Sequence, residues 1–405
     1  MVGLGRWVGF VLGMVIVGAT FSSVVGSIVL PKGVRSRISY AVWRGVKQSF
    51  MTAASRLRRY EAKDRLLGLL GPVALLVLLA AWLLLFLLGY ALLLWPLSGD
   101  GAGFMAALRL SGSSLFTLGL AASPRGGATV VTFVAAATGL VVVALQIGYL
   151  PTIYGAYNRR ETLVNMLESR AGEPAWGVEL LAREQLIGSV ESLGPFFTDW
   201  ERWAADLTES HVNYPWLLSF RSPYPLRSWV VSLLAVLDAA ALYLALVPGR
   251  APSVSSAARH CLRTGFLGFR ALAGVYRVEV DADPRPDAPI ALTRQEFQEG
   301  LDRLEAVGFP MERTPEEAWR QFRGWRVNYE TAAYLLADRL VAVPAPWSGE
   351  RSSLRLPADV GQVLVPVRPR HRSPDDPEGH TPLLPPRPAP PARRPEPPRR
   401  SETSK

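Results

Sequence analysis

Five consecutive residues, Thr117-Leu118-Gly119-Leu120-Ala121, offer the clearest chemistry in this 405-residue chain. They lie in a hydroxyl- and glycine-rich stretch, Leu110–Val130, between two long apolar runs, Leu66–Leu97 and Ala128–Tyr154. The stretch is too short and too interrupted to cross a bilayer, which takes about 20 apolar residues as a helix. Irregular backbone sits at membrane depth only where it is buried in protein or lines a watery cavity. The chemistry implied is coordination. Peptide carbonyls, with the Thr117 hydroxyl, would replace the water around a dehydrated cation.

No other group of residues competes with that one. The four histidines, His211, His260, His371 and His380, lack metal-ligand spacing, and none pairs locally with a nucleophile. No glycine-rich nucleotide fingerprint follows a strand pattern. The single cysteine, Cys261, excludes an intrachain disulfide and reads as a small buried hydrophobe. The expectation is therefore no enzyme and no cofactor, with potassium or another monovalent cation as the permeant ion. The formal charge of +10 is mostly arginine and gathers in particular segments. It reads as topology and headgroup attraction, since no aromatic-basic pattern typical of nucleic-acid binding accompanies it.

The elements that must position the loop follow from the hydropathy pattern. Trp7–Leu30 is long and apolar enough to span. A cleaved signal peptide ending near Val17-Gly18-Ala19 competes, but the apolar stretch runs past that site. Lys32–Arg65 holds ten cations against Glu61 and Asp64, which keeps it cytoplasmic. Ile38, Val42, Val46 and Phe50 recur in it at helical spacing, giving an amphipathic helix on the inner leaflet or one packed on a soluble domain. Leu66–Leu97 then crosses outward, with Tyr90 and Trp95 near its outer end. Phe104–Ser114 is a short helix leading into the loop, and its Arg109 reads as a snorkelling cation at the outer interface. Ala128–Tyr154 returns as the inner helix. Gly139 in it is either a hinge or a close-packing site, Gln146 is a polar group for the vestibule, and Pro151 marks an end or a bend.

With these elements in place, Ser113–Leu120 resembles the pore loop of tetrameric potassium channels, whose filter reads T-x-G-[YFL]-G-D. Thr117, Leu118, Gly119 and Leu120 match its first four positions. Ala121 stands where the second glycine belongs and Ala122 where the acid belongs. The chain further resembles a group of bacterial channel-like proteins in Leu30-Pro31-Lys32, Asn158-Arg159-Arg160-Glu161 and Trp200-Glu201-Arg202-Trp203. Glu209-Ser210-His211 and Tyr214-Pro215 continue the likeness, which covers most of residues 10–345. In that group the inner helix runs into a turn at the Arg-Arg-Glu motif. The resemblance implies a homotetramer in a bacterial plasma membrane, contacting lipid and an unknown cytosolic partner, with the N-terminus outside and the C-terminus cytoplasmic.

The fold expected is an all-α membrane protein with three transmembrane helices, one re-entrant pore loop and a soluble α-helical domain. Its parts are an N-terminal span (1–31), a basic linker helix (32–65), a pore domain (66–157) and a cytosolic helical domain (158–280). A second cytosolic helical segment (281–348) and a Pro/Arg-rich disordered tail (349–405) follow. Within the soluble part, Thr162–Ser169, Val178–Leu193, Phe196–His211 and Ser228–Val247 read as helices, with a break at Gly194-Pro195. Ser228–Val247 is apolar enough to be a fourth span, but Asp238 at its centre and cations on both sides favour a buried bundle helix with Asp238 paired. Thr293/Glu296 and Thr314-Pro315 read as helix starts. Two function classes remain open: a cation channel with a degenerate filter, or a non-conducting scaffold or sensor retaining the pore fold. Ala121 and Ala122 separate them, because an alanine forced to positive φ costs roughly 1–2 kcal/mol.

Overall fold

The computed structural model describes residues 2–30, 36–99, 102–121, 126–249 and 251–349. Pro31-Lys32, Asp100, Ala122, Arg250 and the Pro/Arg-rich segment from 350 onward, with His371 and His380, lie outside the described residues. Among the described residues all regular structure is helical.

Helix α1 (Val2–Val24) continues through a π-helical turn, Val25–Val29. Ser36 caps α2 (Arg37–Ser55) by accepting from the Ser39 N–H. Helix α3 (Tyr60–Gly68) leads almost directly into α4 (Leu70–Leu94). A connection follows to α5 (Phe104–Leu115), and α6 (Gly126–Ala171) is 46 residues long. Segments of α1, α3–α4 and α6 are long and apolar enough to cross a membrane, and only 28%, 39% and 28% of their most apolar windows is buried by the chain itself. Large apolar surface left uncovered on three long helices is what a protein in lipid presents.

The basic helix resolves residue by residue. Ile38 and Val42 pack with the apolar cluster of Leu78, Trp82, Phe86 and Leu115, whereas Phe50 and Met51 pack against the core of the helical body. Arg37, Tyr40 and Arg44 stay exposed. The helix therefore bridges the two parts of the molecule.

Helix α6 corrects two expectations. Pro151 lies inside it with helix on both sides, and its ring sits at an exposed position. The Arg159-Arg160-Glu161 motif is likewise mid-helix, where a turn was expected, and the separate helix read over Thr162–Ser169 is the last part of α6. The reason is packing. Ile153, Ala156, Arg160, Val164 and Leu167 continue one buried stripe at spacings of three and four, so the face that organises α6 crosses the motif unbroken.

The remaining helices are α7 (Gly177–Leu186), α8 (Leu193–Asn213), α9 (Trp229–Leu246), α10 (Pro252–Val275), α11 (Arg294–Glu305), α12 (Pro315–Arg326) and α13 (Glu330–Arg339). Gly194-Pro195 falls in the first turn of α8, where proline's missing N–H costs nothing, so it starts the helix and does not break it. The capping box of Thr293 with Glu296 is present, Pro315 sits at the start of α12, and a second box, Thr314 with Glu317, comes to light there. All 18 residues of α9 are buried, in contact with α7, α10, α12 and α13. A helix apolar all round is a bundle centre when protein covers every face. One hydrophobic core runs through this body, from Val164 to Trp347, so segments 158–280 and 281–348 share it.

Asp238 is paired as its cost requires. Arg326, fully buried, donates to Asp238 at 2.6 Å, to Glu330 at 2.8 Å, to the Tyr334 hydroxyl and to the Trp347 carbonyl. The Tyr329 hydroxyl donates to the same Asp238 oxygen at 2.8 Å. One guanidinium thus serves two carboxylates. Burial pushes the Asp238 carboxyl up to about 6 against the opposing pull of Arg326, with Glu330 adding to the rise.

Candidate functional site

Helix α5 is held by hydroxyls and by one close approach. Ser111 donates to the Leu87 carbonyl of α4 at 2.8 Å. The end of α5 abuts Gly139 of α6 so closely that a Cβ there would lie 1.9 Å from the Leu115 carbonyl oxygen. Gly139 is about 20 Å along α6 from Gly126, at about 1.5 Å rise per residue. The foot of α5 therefore packs against α6 about 20 Å along that helix from its first residue. Gly139 is a close-packing residue in an unbroken helix, which favours the second of the two roles read for it.

The turn after α5 is built by Ser113. Its carbonyl accepts the Leu118 N–H at 2.8 Å, and its hydroxyl accepts the Ala121 N–H at 3.0 Å. Thr117 and Gly119 take positive φ, +52° and +68°. Ala121 is not among the residues with positive φ, so the alternation stops where the filter pattern would place its second glycine. The strain expected at alanine falls on Thr117, the first position. Ala122 lies outside the described residues.

Phe116 to Ala121 are all exposed, Leu120 by 82%. The carbonyls of Thr117, Leu118, Gly119 and Leu120 accept no hydrogen bond among the described residues, while the Thr117 hydroxyl donates to the Phe116 carbonyl at 2.8 Å. An unpaired backbone carbonyl is costly away from water. Four in succession need water, an ion or further chains. The C-terminal end of α5, the negative end of its dipole, points the same way. Arg109 lies on the exposed side of α5.

The flank of the loop is equally open. From Gly126 to Asn158, α6 carries no charged residue, and Phe133, Leu140 and Ile147 form a heptad-spaced stripe 71%, 68% and 65% exposed. Gln146 is on the opposite face with Val142 and Tyr149, buried in the chain's own interior and not on the open side read for it as a vestibule group.

Arg160, Glu161, Trp203 and His211 meet in one buried knot. Arg160 bonds Glu161 at 2.8 Å, the His211 Nε2 at 3.1 Å, and the carbonyls of Leu217 and Phe220. The Trp203 indole donates to the Arg160 carbonyl at 3.0 Å. Burial first, and the Arg160 charge second, lower the His211 pKa far below its usual value, so the ring is neutral. Since arginine only donates, Nε2 accepts, and Nδ1 carries the proton toward the Ser210 hydroxyl at 3.0 Å. Arg159, by contrast, makes an exposed pair with Asp206 at 3.2 Å. The bracing by Ser113 and the Arg160–His211 contact were not read from the sequence. Spacing alone gives no signal for either, because both depend on a loop folding back.

Among the described residues no group of three or more metal-ligating side chains comes together. No family model matches the chain, and neither a curated protein nor a solved structure matches it.

Proposed function

We propose that this chain is one subunit of a tetrameric, potassium-like cation channel in a bacterial plasma membrane. In this reading α1, α4 and the apolar part of α6 span the bilayer, and α5 with residues 116–121 forms the re-entrant pore loop. One observation supports it: four carbonyls that accept no hydrogen bond among the described residues, at exposed positions and with positive φ at Thr117 and Gly119, follow a short helix that packs beside the uncharged stretch 126–158 of α6. Four copies around an axis would turn the carbonyls of Thr117 to Leu120 toward a shared path and cover the apolar stripe of α6. In this reading the cations of α2 favour the cytoplasmic side for that helix and the helical body, with the N-terminus outside.

A specific observation favours a second reading. Without positive φ at Ala121 the upper filter is incomplete, which fits a weakly selective pore or a non-conducting scaffold that keeps the pore architecture. Cation flux from purified protein in liposomes, wild type beside Ala121→Gly/Ala122→Asp, separates the two. Potassium flux in wild type supports the channel, and flux gained only in the double variant supports the scaffold. Flux absent from both removes the channel reading. The mass of the detergent-solubilised complex tests the tetramer.

A further inference from the structure

A cavity of about 50 Å³ opens where α2, the α3–α4 junction and the end of α13 meet. Lys47, Arg339 and Ser222 are among its lining, together with the apolar Leu67, Leu70 and Trp229. At roughly 10–15 Å³ per water on this measure, it holds about three to five waters, enough for a tetrahedral oxyanion.

Its polar groups are unevenly satisfied. Arg221 and Arg227 also border the cavity, but Arg221 is paired with Asp64 and Arg227 with Glu168 and Glu173. The other two cations have no carboxylate partner of this kind. Among the described residues the Lys47 ammonium reaches the Arg339 carbonyl, at 3.5 Å, and two aromatic rings, Trp43 and Tyr276. The Arg339 guanidinium makes no ion pair among the described residues. Burial, then the nearby Arg339 charge, lower the Lys47 pKa, and Asp338 opposes them only in part. The Ser222 hydroxyl is 93% enclosed as a residue position (7% exposed) and has no hydrogen-bond partner. A buried orphan hydroxyl beside two uncompensated cations is an arrangement that an anion completes.

We infer that this cavity is a phosphate-binding site in which Lys47, Arg339 and Ser222 hold the phosphate group of an anionic lipid or of a soluble phosphate ester. Three donor groups on different elements match a phosphate's three acceptor oxygens. Leu70 opens the apolar run of α4, so a lipid headgroup here would let its acyl chains follow that helix; this source rests on the membrane reading above, and a soluble ester does not. A bound phosphate would tie α2 to the end of α13 and so link the membrane helices to the body.

The test uses the full chain in detergent, titrated by calorimetry with inorganic phosphate, short-chain phosphatidic acid and, as a zwitterionic control, short-chain phosphatidylcholine. Saturable binding of one phosphatidic acid per chain without binding of inorganic phosphate identifies a lipid site, and binding of both identifies the phosphate group alone as sufficient. Lys47→Ala and Arg339→Ala should each weaken binding about tenfold or more, and Ser222→Ala a few-fold with unchanged melting temperature. Arg339 is exposed, so its variant folds even if Lys47→Ala does not. No binding of either anion, equal binding of the control, or wild-type affinity in Arg339→Ala overturns the inference. Because the titration needs neither conduction nor a bilayer, its failure is distinguishable from failure of the channel reading.

Discussion

Substituting Gly139 tests the geometry of the loop most directly. In Gly139→Ala the new Cβ would lie 1.9 Å from the Leu115 carbonyl oxygen and 2.9 Å from its carbon. Real contacts of this kind are essentially never under 3.0 Å, so α5 or α6 must shift by about 1.1 Å. Neither neighbouring atom is the end of a flexible side chain, so the backbone has to move. Overpacking of this sort costs about 1–3 kcal/mol, more than the roughly 1 kcal/mol that alanine gains over glycine in a helix. Gly148, on the same helix, has nothing within 4 Å of its Cβ position and supplies the control. Thermal melting in detergent should therefore move in opposite directions, down for Gly139→Ala and level or slightly up for Gly148→Ala. On the proposed channel reading, the first should also lose cation flux in liposomes, since Leu115 lies two residues before the carbonyl run. If Gly139→Ala melted like wild type and only its open fraction changed, the residue would be a hinge, and the close packing of α5 against it would be refuted.

Other outcomes follow from the buried knots. Arg326→Met should destabilise by about 3–5 kcal/mol, because Asp238 is left charged and unpaired, and adding Asp238→Asn should recover part of that loss in chemical denaturation. Two variants should change the pH dependence of melting in opposite senses. Asp238 takes up its proton in the fold before the unfolded chain does, so between about pH 4 and 6 it stabilises as pH falls, and Asp238→Asn should be more acid-labile than wild type. His211 stays neutral while the unfolded chain protonates near 6.5, so its contribution is lost as pH falls below that, and His211→Gln should be less acid-labile. Neighbouring arginines should also part company. Arg160→Lys should cost at least about 2 kcal/mol by breaking a buried fork of hydrogen bonds, whereas Arg159→Ala should stay within about 1 kcal/mol. Finally, Arg277, exposed at φ 58°, should tolerate Arg277→Gly with a gain of up to about 1 kcal/mol in melting experiments.

Much of the architecture was legible in the chain alone because it depends on local or one-dimensional signals. Leu66–Leu97 and Ala128–Tyr154 are long apolar runs, and Thr293/Glu296 and Thr314-Pro315 are helix starts; each needs only the residue types and their spacing. The burial of Ser228–Val247 was legible too, since a central carboxylate in an apolar helix demands a partner. That the partner is Arg326, 88 residues on, was not. Where α6 ends was misread, because a proline and a charged triplet look like a terminus until a continuous packing face is seen to run through them. The same limit governs the loop. Residue order sets which side chains the loop carries, but only the tertiary fold sets Leu115 against Gly139, places the strain on Thr117 rather than Ala121, and turns Gln146 inward. Residue types set what each group can do; contacts between elements distant in the chain decide which groups meet, because their energy exists only once the loops between them have closed.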